Sequence, residues 1–171
     1  MTFDRVRLLV PVLSFVLIAV FAVGPLEARE IVEVADDYEY GTIVVKTSEK
    51  RLYYALGNGK AIRYSVAVGS PQNQWFGTTW VSEKRTNPTW TPTPSMRARN
   101  PRLPTSMAAG PNNPLGVRAL YLGWTTYRIH GTNAPGSIGH AVSNGCIRMR
   151  NEDVVDLYER VHIGAPVIVA H

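Results

Sequence analysis

GTIVVKTSEKRLYYALGNGKAIRYSVAVGS, residues 41–70, is the stretch that decides the fold. Residues 42–46 and 51–56 are rich in β-branched and aromatic side chains, which favour strands. The segment GNGK at 57–60 has the Asn and Gly residues of a tight hairpin turn, and 61–68 alternates as a returning strand. This stretch therefore predicts a strand followed by a β-hairpin.

Strand patterns continue toward the C-terminus. Residues 78–85, 118–123 and 125–131 are further strand candidates, and APVIVA at 165–170 is a final one. Only one segment, 151–164, has a convincing helical pattern. The chain is therefore predicted to be mainly β, or β-dominated α+β, with one clear helix near the C-terminus.

The predicted helix has recognisable ends and one apolar face. Asn151 can cap it, and the acidic residues that follow suit the positive end of the helix dipole. Its last turn holds Arg160 and His162, and Gly164 is a stop signal. The apolar face consists of Val154, Leu157, Tyr158 and Val161.

A proline-rich segment interrupts the strands. Residues 86–116 contain seven of the twelve prolines, and proline removes the N–H that a strand ladder needs. Long loops inside compact domains are usually functional or disordered. We expect this segment to be a long irregular loop or lid, pinned to the surface by its apolar side chains.

The N-terminus has the pattern of a secretory signal peptide. Arg5 and Arg7 precede an apolar run from Leu8 to Val23, and Ala28 offers a small residue for cleavage. We expect residues 1–28 to be a signal peptide, 29–40 a short linker and 41–171 one domain. An uncleaved membrane anchor is the alternative, although the run is short for a spanning helix.

The formal net charge of +5 allows two interpretations. A dispersed positive charge is typical of a solvated surface, and it also suits attraction to an anionic polymer outside the cytoplasm. An exported protein is not expected to bind nucleic acid. The signal-peptide pattern, and not the charge, predicts an exported protein, which we expect in the periplasm.

The only cysteine, Cys146, lies in the segment SNGC at 143–146. In an exported chain a single cysteine indicates a reactive thiol or an intermolecular disulfide, and the alternative is a small buried hydrophobe. His130 ends a strand-like run 16 residues earlier, and glycine and proline within 131–139 let the chain turn back. An adjacent imidazole can activate a thiol, and the backbone N–H groups of Gly145 and Cys146 can form an oxyanion hole. This pattern indicates a Cys–His acyl-transfer site.

RIHGTNAPGSIGHAVSNGCIRM, residues 128–149, closely resembles the signature of the L,D-transpeptidase catalytic domain, of YkuD or ErfK/YbiS/YcfS/YnhG type. The resemblance covers about residues 40–170. It includes the opening strands at 41–69, the segment NPLGVRALYLG at 113–123 and the closing segment at 151–169. It implies that family's β-sandwich or barrel.

The resemblance also implies roles for single residues. Cys146 would be the nucleophile and His130 the general base, with the Gly131 backbone orienting it. Gly145 and Cys146 would supply oxyanion donors. Contacts to the substrate would come from Ser143, Asn144 and Arg148.

Two positions depart from the family pattern. Asn144 stands where many relatives have His, which argues against a second catalytic histidine at that position. Gly136 stands where relatives often have an aromatic residue. His140 is a further candidate base, but matching positions in relatives are not reliably His, so a loop side chain is the simpler interpretation.

The implied reaction uses no metal and no organic cofactor. Cys146 would be acylated by a peptidoglycan tetrapeptide stem, with release of D-Ala, and carbapenems would acylate the same thiol. Transfer to a second diaminopimelate would form a 3→3 cross-link, and transfer to a protein lysine would anchor an envelope protein to the wall. Transfer to water would make the protein an L,D-carboxypeptidase. The resemblance suggests a monomer.

Three other interpretations are considered. A cysteine peptidase of the NlpC/P60 kind has its Cys before its His, on a helix, which is the reverse of the order here. A non-catalytic peptidoglycan-binding module would not need the Cys–His pair. A zinc site from His130, His140 and Cys146 has acceptable ligands, but their spacing matches no usual zinc pattern.

Overall fold

The computed structural model describes residues 29–35 and 38–171. The predicted signal peptide, residues 1–28, lies outside the described residues. The strands are β1 Glu30–Glu33, β2 Ile43–Lys46, β3 Arg51–Gly57, β4 Lys60–Gly69, β5 Gly77–Thr86, β6 Arg118–Leu122, β7 Arg128–His130, β8 Ala141–Ser143, β9 Ile147–Met149 and β10 Pro166–Ala170. The helices are α1 Pro94–Arg99 and α2 Asn151–Arg160, with 3₁₀ turns at Pro71–Asn73 and Pro135–Ser137.

The strands form a sheet that closes on itself. Its order is β1-β4-β3-β2-β10-β5-β6-β7-β9, and β9 also pairs with β4. The pairing of β9 with β4 joins Val66 to Met149 and Ala67 to Arg148. The predicted mainly β class with one long helix near the C-terminus is confirmed.

The hairpin at 51–69 is confirmed in detail. β3 and β4 pair antiparallel, and Gly57 pairs with Lys60 across the turn. Asn58 and Gly59 have φ of 52° and 68°. Two successive positive φ angles match the right-handed twist of the strands, and Asn-Gly adopts them readily.

The predicted linker at 29–40 contains a strand. β1 pairs antiparallel with β4, from Glu30 opposite Arg63 to Glu33 opposite Lys60. Its side chains are mostly exposed because β1 lies at the edge of the sheet, so it lacks the buried alternation that identifies an inner strand. Arg63 bonds the Glu30 carboxylate at 2.6 Å, which adds a cross-strand ion pair.

Helix α2 differs from its prediction at both ends. Arg150 is the N-cap and makes no capping bond, while Asn151 is already helical and points its amide elsewhere. The helix ends at Arg160, so His162 lies beyond it, and Val161 is extended. Val154 and Leu157 are fully buried in the core, as the apolar face predicts.

The proline-rich segment 86–116 is irregular, as predicted, but it is ordered by internal contacts. Trp90 and Met107 form an isolated antiparallel bridge, and α1 lies between them. The buried Asn113 amide donates to the carbonyls of Pro88, Met107 and Ala108. None of the helices in the described ranges is long and apolar enough to cross a membrane.

Candidate active site

Two parallel neighbouring strands bring the histidine and cysteine segments together. β7 pairs with β9 so that Ile129 lies beside Ile147 and His130 beside Arg148. Both isoleucines are buried in the core. Because side chains alternate along a strand, Arg128 and His130 project from the opposite face. Cys146 immediately precedes β9, at the start of this pairing.

The turn before Cys146 is held by Ser143. The Ser143 hydroxyl donates to the Cys146 carbonyl at 2.6 Å and accepts from the Gly145 N–H at 3.0 Å. Gly145 has φ of +111°, and a Cβ added there would lie 2.8 Å from Tyr127 Cζ. Only glycine fits this conformation and this contact.

His130 is buried and fixed by its own backbone. Its Nδ1 lies 2.6 Å from the Gly131 carbonyl, which can only accept, so Nδ1 carries the proton. In this neutral tautomer Nε2 is a hydrogen-bond acceptor. Burial lowers the pKa of His130 to about 4, with a smaller effect of the same sign from Arg148 and Arg128.

The Cys146 thiol is also held neutral by its surroundings. Burial raises its pKa, and hydrogen bonds and charge from Arg128 oppose that rise. Among the described residues no hydrogen bond joins Cys146 to His130. A neutral thiol and a neutral imidazole therefore share a site lined by Arg128 and Arg148.

The loop after His130 is clamped to helix α2. The Asn151 amide donates to the Thr132 carbonyl and its oxygen accepts from the Thr132 N–H, both at 3.1 Å. A Cβ on either Gly116 or Gly131 would overlap the Asn151 side chain. Asn151 thus fixes the chain two residues beyond His130, which is a different role from the predicted cap.

Several predicted site residues make their hydrogen bonds to other groups of the protein. Ser143 is 2% exposed, and both of its hydrogen bonds lie inside the turn, whereas a substrate contact was expected. The Gly145 N–H, an expected oxyanion donor, is occupied by Ser143. The Gly131 N–H bonds the Arg118 carbonyl, while the Gly131 carbonyl bonds His130.

Other predicted residues lie on the surface of the site. Asn144 is exposed and accepts from Arg99 of α1 at 2.9 Å, which ties the proline-rich segment to the cysteine turn. Arg148 is half-buried beside His130. His140 is exposed. His130, His140 and Cys146 do not form a metal-binding group, and neither do any other described residues.

Sequence reasoning missed Arg128, whose hydrogen bonds act on the thiol, and Trp75, which contacts the cysteine turn. Arg128 lies within the motif at 128–149 but has no predicted role, although strand alternation puts it on the same face as His130. Trp75 donates from its indole N–H to the Gly145 carbonyl at 2.9 Å across 70 residues of sequence. The alternation of β7 could have identified Arg128, whereas no local signal identifies Trp75.

Comparison with known proteins identifies related chains. The family model YkuD, described as the L,D-transpeptidase catalytic domain, matches residues 40–169. The probable L,D-transpeptidase YbiS of Escherichia coli K12 is 45% identical over 135 residues. The match covers 73% of this chain and 43% of YbiS, so the chain spans less than half the length of that relative.

Solved structures share the fold. The crystal structure of the Enterococcus faecium L,D-transpeptidase C442S mutant superposes with a TM-score of 0.61 at 20% identity, over 77% of this chain and 50% of that one. A Brucella melitensis crystal structure, described as a probable carnitine operon oxidoreductase, is 42% identical with a TM-score of 0.57. That match covers 84% of this chain and 93% of the Brucella chain.

Proposed function

This chain belongs to the YkuD family of L,D-transpeptidase catalytic domains, and we propose that it is a cysteine-dependent peptidoglycan L,D-transpeptidase. One observation carries the proposal. The parallel pairing of β7 and β9 sets His130, whose tautomer is fixed by the Gly131 carbonyl, on the strand next to the one that Cys146 immediately precedes, and this supports the proposed pair. Such a pair is the minimum that covalent acyl transfer requires.

The proposed first half-reaction acylates the cysteine. His130 Nε2 takes the thiol proton as Sγ attacks the carbonyl between diaminopimelate and the terminal D-Ala of a tetrapeptide stem. The carbonyl oxygen becomes an oxyanion beside the Cys146 N–H. The bond to D-Ala then breaks, His130 returns the proton to the leaving amine, and a thioester remains.

The proposed second half-reaction transfers the acyl group. An incoming amine loses a proton to His130 and attacks the thioester, and the thiol leaves with that proton. The resting charges fit this order, because His130 and Cys146 both start neutral and need exchange only one proton. Arg148, beside His130, is positioned to pair with a stem-peptide carboxylate.

The first experiment tests nucleophile and reaction together. The protein and its Cys146→Ala variant are incubated with purified disaccharide-tetrapeptide, and the products are analysed by mass spectrometry. We expect released D-Ala and a 3→3 dimer with the wild type, and neither with the variant. A stem left intact by both proteins would favour a peptidoglycan-binding module instead.

The acyl acceptor is proposed to be an amine, either of a second stem or of an envelope protein. The proline-rich segment supports this choice, since Arg99 bonds Asn144, two residues before the thiol, and so ties the segment to the cysteine turn. A covered thioester is protected from water. We further propose that the protein is exported and acts on the wall from the periplasm.

The contact between Arg99 and Asn144 gives a prediction about water as the acyl acceptor. Arg99→Ala removes the contact with Asn144 and should raise the ratio of tripeptide to cross-linked dimer by up to about fivefold, the effect of about 1 kcal/mol. Arg97→Ala is the matched control, because Arg97 bonds the Thr105 carbonyl inside the same segment. Equal ratios in the two variants would show that Arg99 does not control access of water.

A further inference from the structure

The backbone around the nucleophile has one unused donor. The Gly145 N–H donates to Ser143, the Gly145 carbonyl accepts from Trp75, and the Cys146 carbonyl accepts from Ser143. No hydrogen bond among the described residues uses the Cys146 N–H. Cys146 is partly exposed, so an N–H beside its thiol that no protein group accepts from is a candidate donor for a ligand oxygen.

The orientation of that donor is set through the peptide bond. The Gly145 carbonyl and the Cys146 N–H belong to one planar trans unit and point in opposite directions. Gly145 has no Cβ and a φ of +111°, so its own side-chain sterics restrain this unit little. A contact that fixes the carbonyl therefore also fixes the N–H.

Trp75 makes that contact from a rigid position. Its indole N–H lies 2.9 Å from the Gly145 carbonyl. Its ring stacks on Tyr127 with centroids 5.0 Å apart and an interplanar angle of 16°. Tyr127 in turn packs directly on the Gly145 Cα, and both rings pack against the hydrophobic core.

We propose that Trp75 is a positioning residue for acyl transfer: its N–H holds the Gly145–Cys146 peptide so that the Cys146 N–H faces the oxyanion. The inference rests on the proposed reaction at Cys146. Trp75 touches neither thiol nor substrate in this role. It contributes only when negative charge develops on the carbonyl oxygen, which occurs in acylation and not in a displacement at saturated carbon.

Two reactions of the Cys146 thiol, one that forms an oxyanion and one that does not, test this role of Trp75. Acylation by a carbapenem or by the tetrapeptide stem passes through an oxyanion, whereas alkylation by iodoacetamide does not. Trp75→Phe in the full chain keeps an aromatic ring on Tyr127 but removes the N–H. We expect its acylation rate to fall by about tenfold or more, short of the loss of a complete oxyanion donor, and its alkylation rate to stay within about twofold of wild type.

Trp124→Phe is the matched control. Trp124 also donates its indole N–H to a backbone carbonyl, that of Thr78 at 3.2 Å, and it meets Trp75 edge-on, away from the cysteine turn. Both rates should equal wild type. If Trp75→Phe does not fold by near-UV circular dichroism, replacement of Trp75 by benzothienylalanine keeps the bicyclic ring and removes only the N–H.

The outcomes are distinct. Unchanged acylation in the variant without the N–H overturns the inference, and so does an equal fall in acylation and alkylation, which would mean a general structural role. A wild type acylated by carbapenem but inert toward the stem peptide would reject the proposed substrate while the Trp75 comparison still decides the inference. A wild type acylated by neither would reject both.

Discussion

We expect His130 to control the pH dependence of the proposed reaction. Because burial lowers its pKa to about 4, the imidazole should remain a usable base well below the pH at which an exposed histidine is protonated. We expect the acid limb of kcat/KM to lie near pH 4, measured by D-Ala release across a pH series. A limb near 6.5 would contradict a buried neutral base.

His130→Asn should lower the rate by about 10²–10⁴-fold, and the exposed His140→Asn should leave it unchanged.

The same burial links stability to pH. Between about pH 4 and the unfolded value near 6.5, the unfolded chain binds a proton that folded His130 does not. Acidification through this window therefore favours unfolding, by up to about 1.4 kcal/mol per pH unit. Urea unfolding at several pH values should show a smaller change over this window in His130→Asn than in the wild type.

Arg128 lowers the pKa of the Cys146 thiol, against the effect of burial. Its charge and hydrogen bonds oppose the rise in the Cys146 pKa that burial causes. Arg128→Gln should move the midpoint of iodoacetamide alkylation to higher pH, because the charge that opposes the rise in the Cys146 pKa is lost. Arg85→Gln is the control, since Arg85 and Arg128 lie 4.9 and 4.7 Å from the ring of Tyr121 while only Arg128 acts on the thiol. An unshifted midpoint in Arg128→Gln would show that Arg128 does not lower the pKa of the Cys146 thiol.

At the scale of elements, the joint between α2 and the loop after β7 determines where His130 lies. Gly116 and Gly131 both leave room for the Asn151 side chain, which bonds Thr132 through both of its polar atoms. A buried amide that loses such a partner costs about 1–3 kcal/mol. Asn151 thus stabilises the loop after β7, and the N-terminus of the helix has no side-chain cap.

Gly116→Ala tests this joint. The new Cβ would lie 2.5 Å from the Thr132 nitrogen, and Gly116 has φ of +63°, so steric overlap and backbone strain add. We expect a loss of at least about 2 kcal/mol in the free energy of unfolding, measured in urea. Gly136→Ala, where a Cβ meets nothing within 4 Å, should be neutral. Equal stability of the two variants would argue against the joint.

Elements differed in how far the sequence could predict them. β2 to β6 and β10 have β-branched or aromatic runs, and their bounds lie within about two residues of the predicted ones. β8 and β9 have three residues each and flank the cysteine turn, too short for any period to register. Asn151 was predicted as a cap because its local sequence favours one, while its actual partner, Thr132, lies 19 residues away.

At the scale of the whole molecule, the site exists because the sheet closes. β9 pairs with β7 on one side and β4 on the other, so the cysteine turn is held between strands that are about 60 residues apart in sequence. The motif at 128–149 predicted His130 and Cys146 as the catalytic pair, and the sheet brings their segments side by side. The contacts of Trp75 could not be predicted, because they depend on that closure and not on neighbouring residues.

The proposed export depends on cleavage of the predicted signal peptide near Ala28. Arg29, the first described residue, bonds the Glu152 carbonyl at 2.9 Å and lies 3.3 Å from the Asp156 carboxylate, so its side chain is held against helix α2. Cleavage near Ala28 would keep both Arg29 and β1, whereas cleavage beyond Glu33 would remove an edge strand.

Expression of the full chain in a Gram-negative host should therefore yield a periplasmic protein whose intact mass begins within a few residues of Arg29. Replacing Arg5 and Arg7 with Glu inverts the charge that precedes the apolar run and should block processing. Full-length protein in the membrane fraction would indicate the uncleaved anchor. Full-length protein in the cytosol would separate the enzyme from peptidoglycan and reject the proposed place of action, while leaving the chemistry of Cys146 to be judged in vitro.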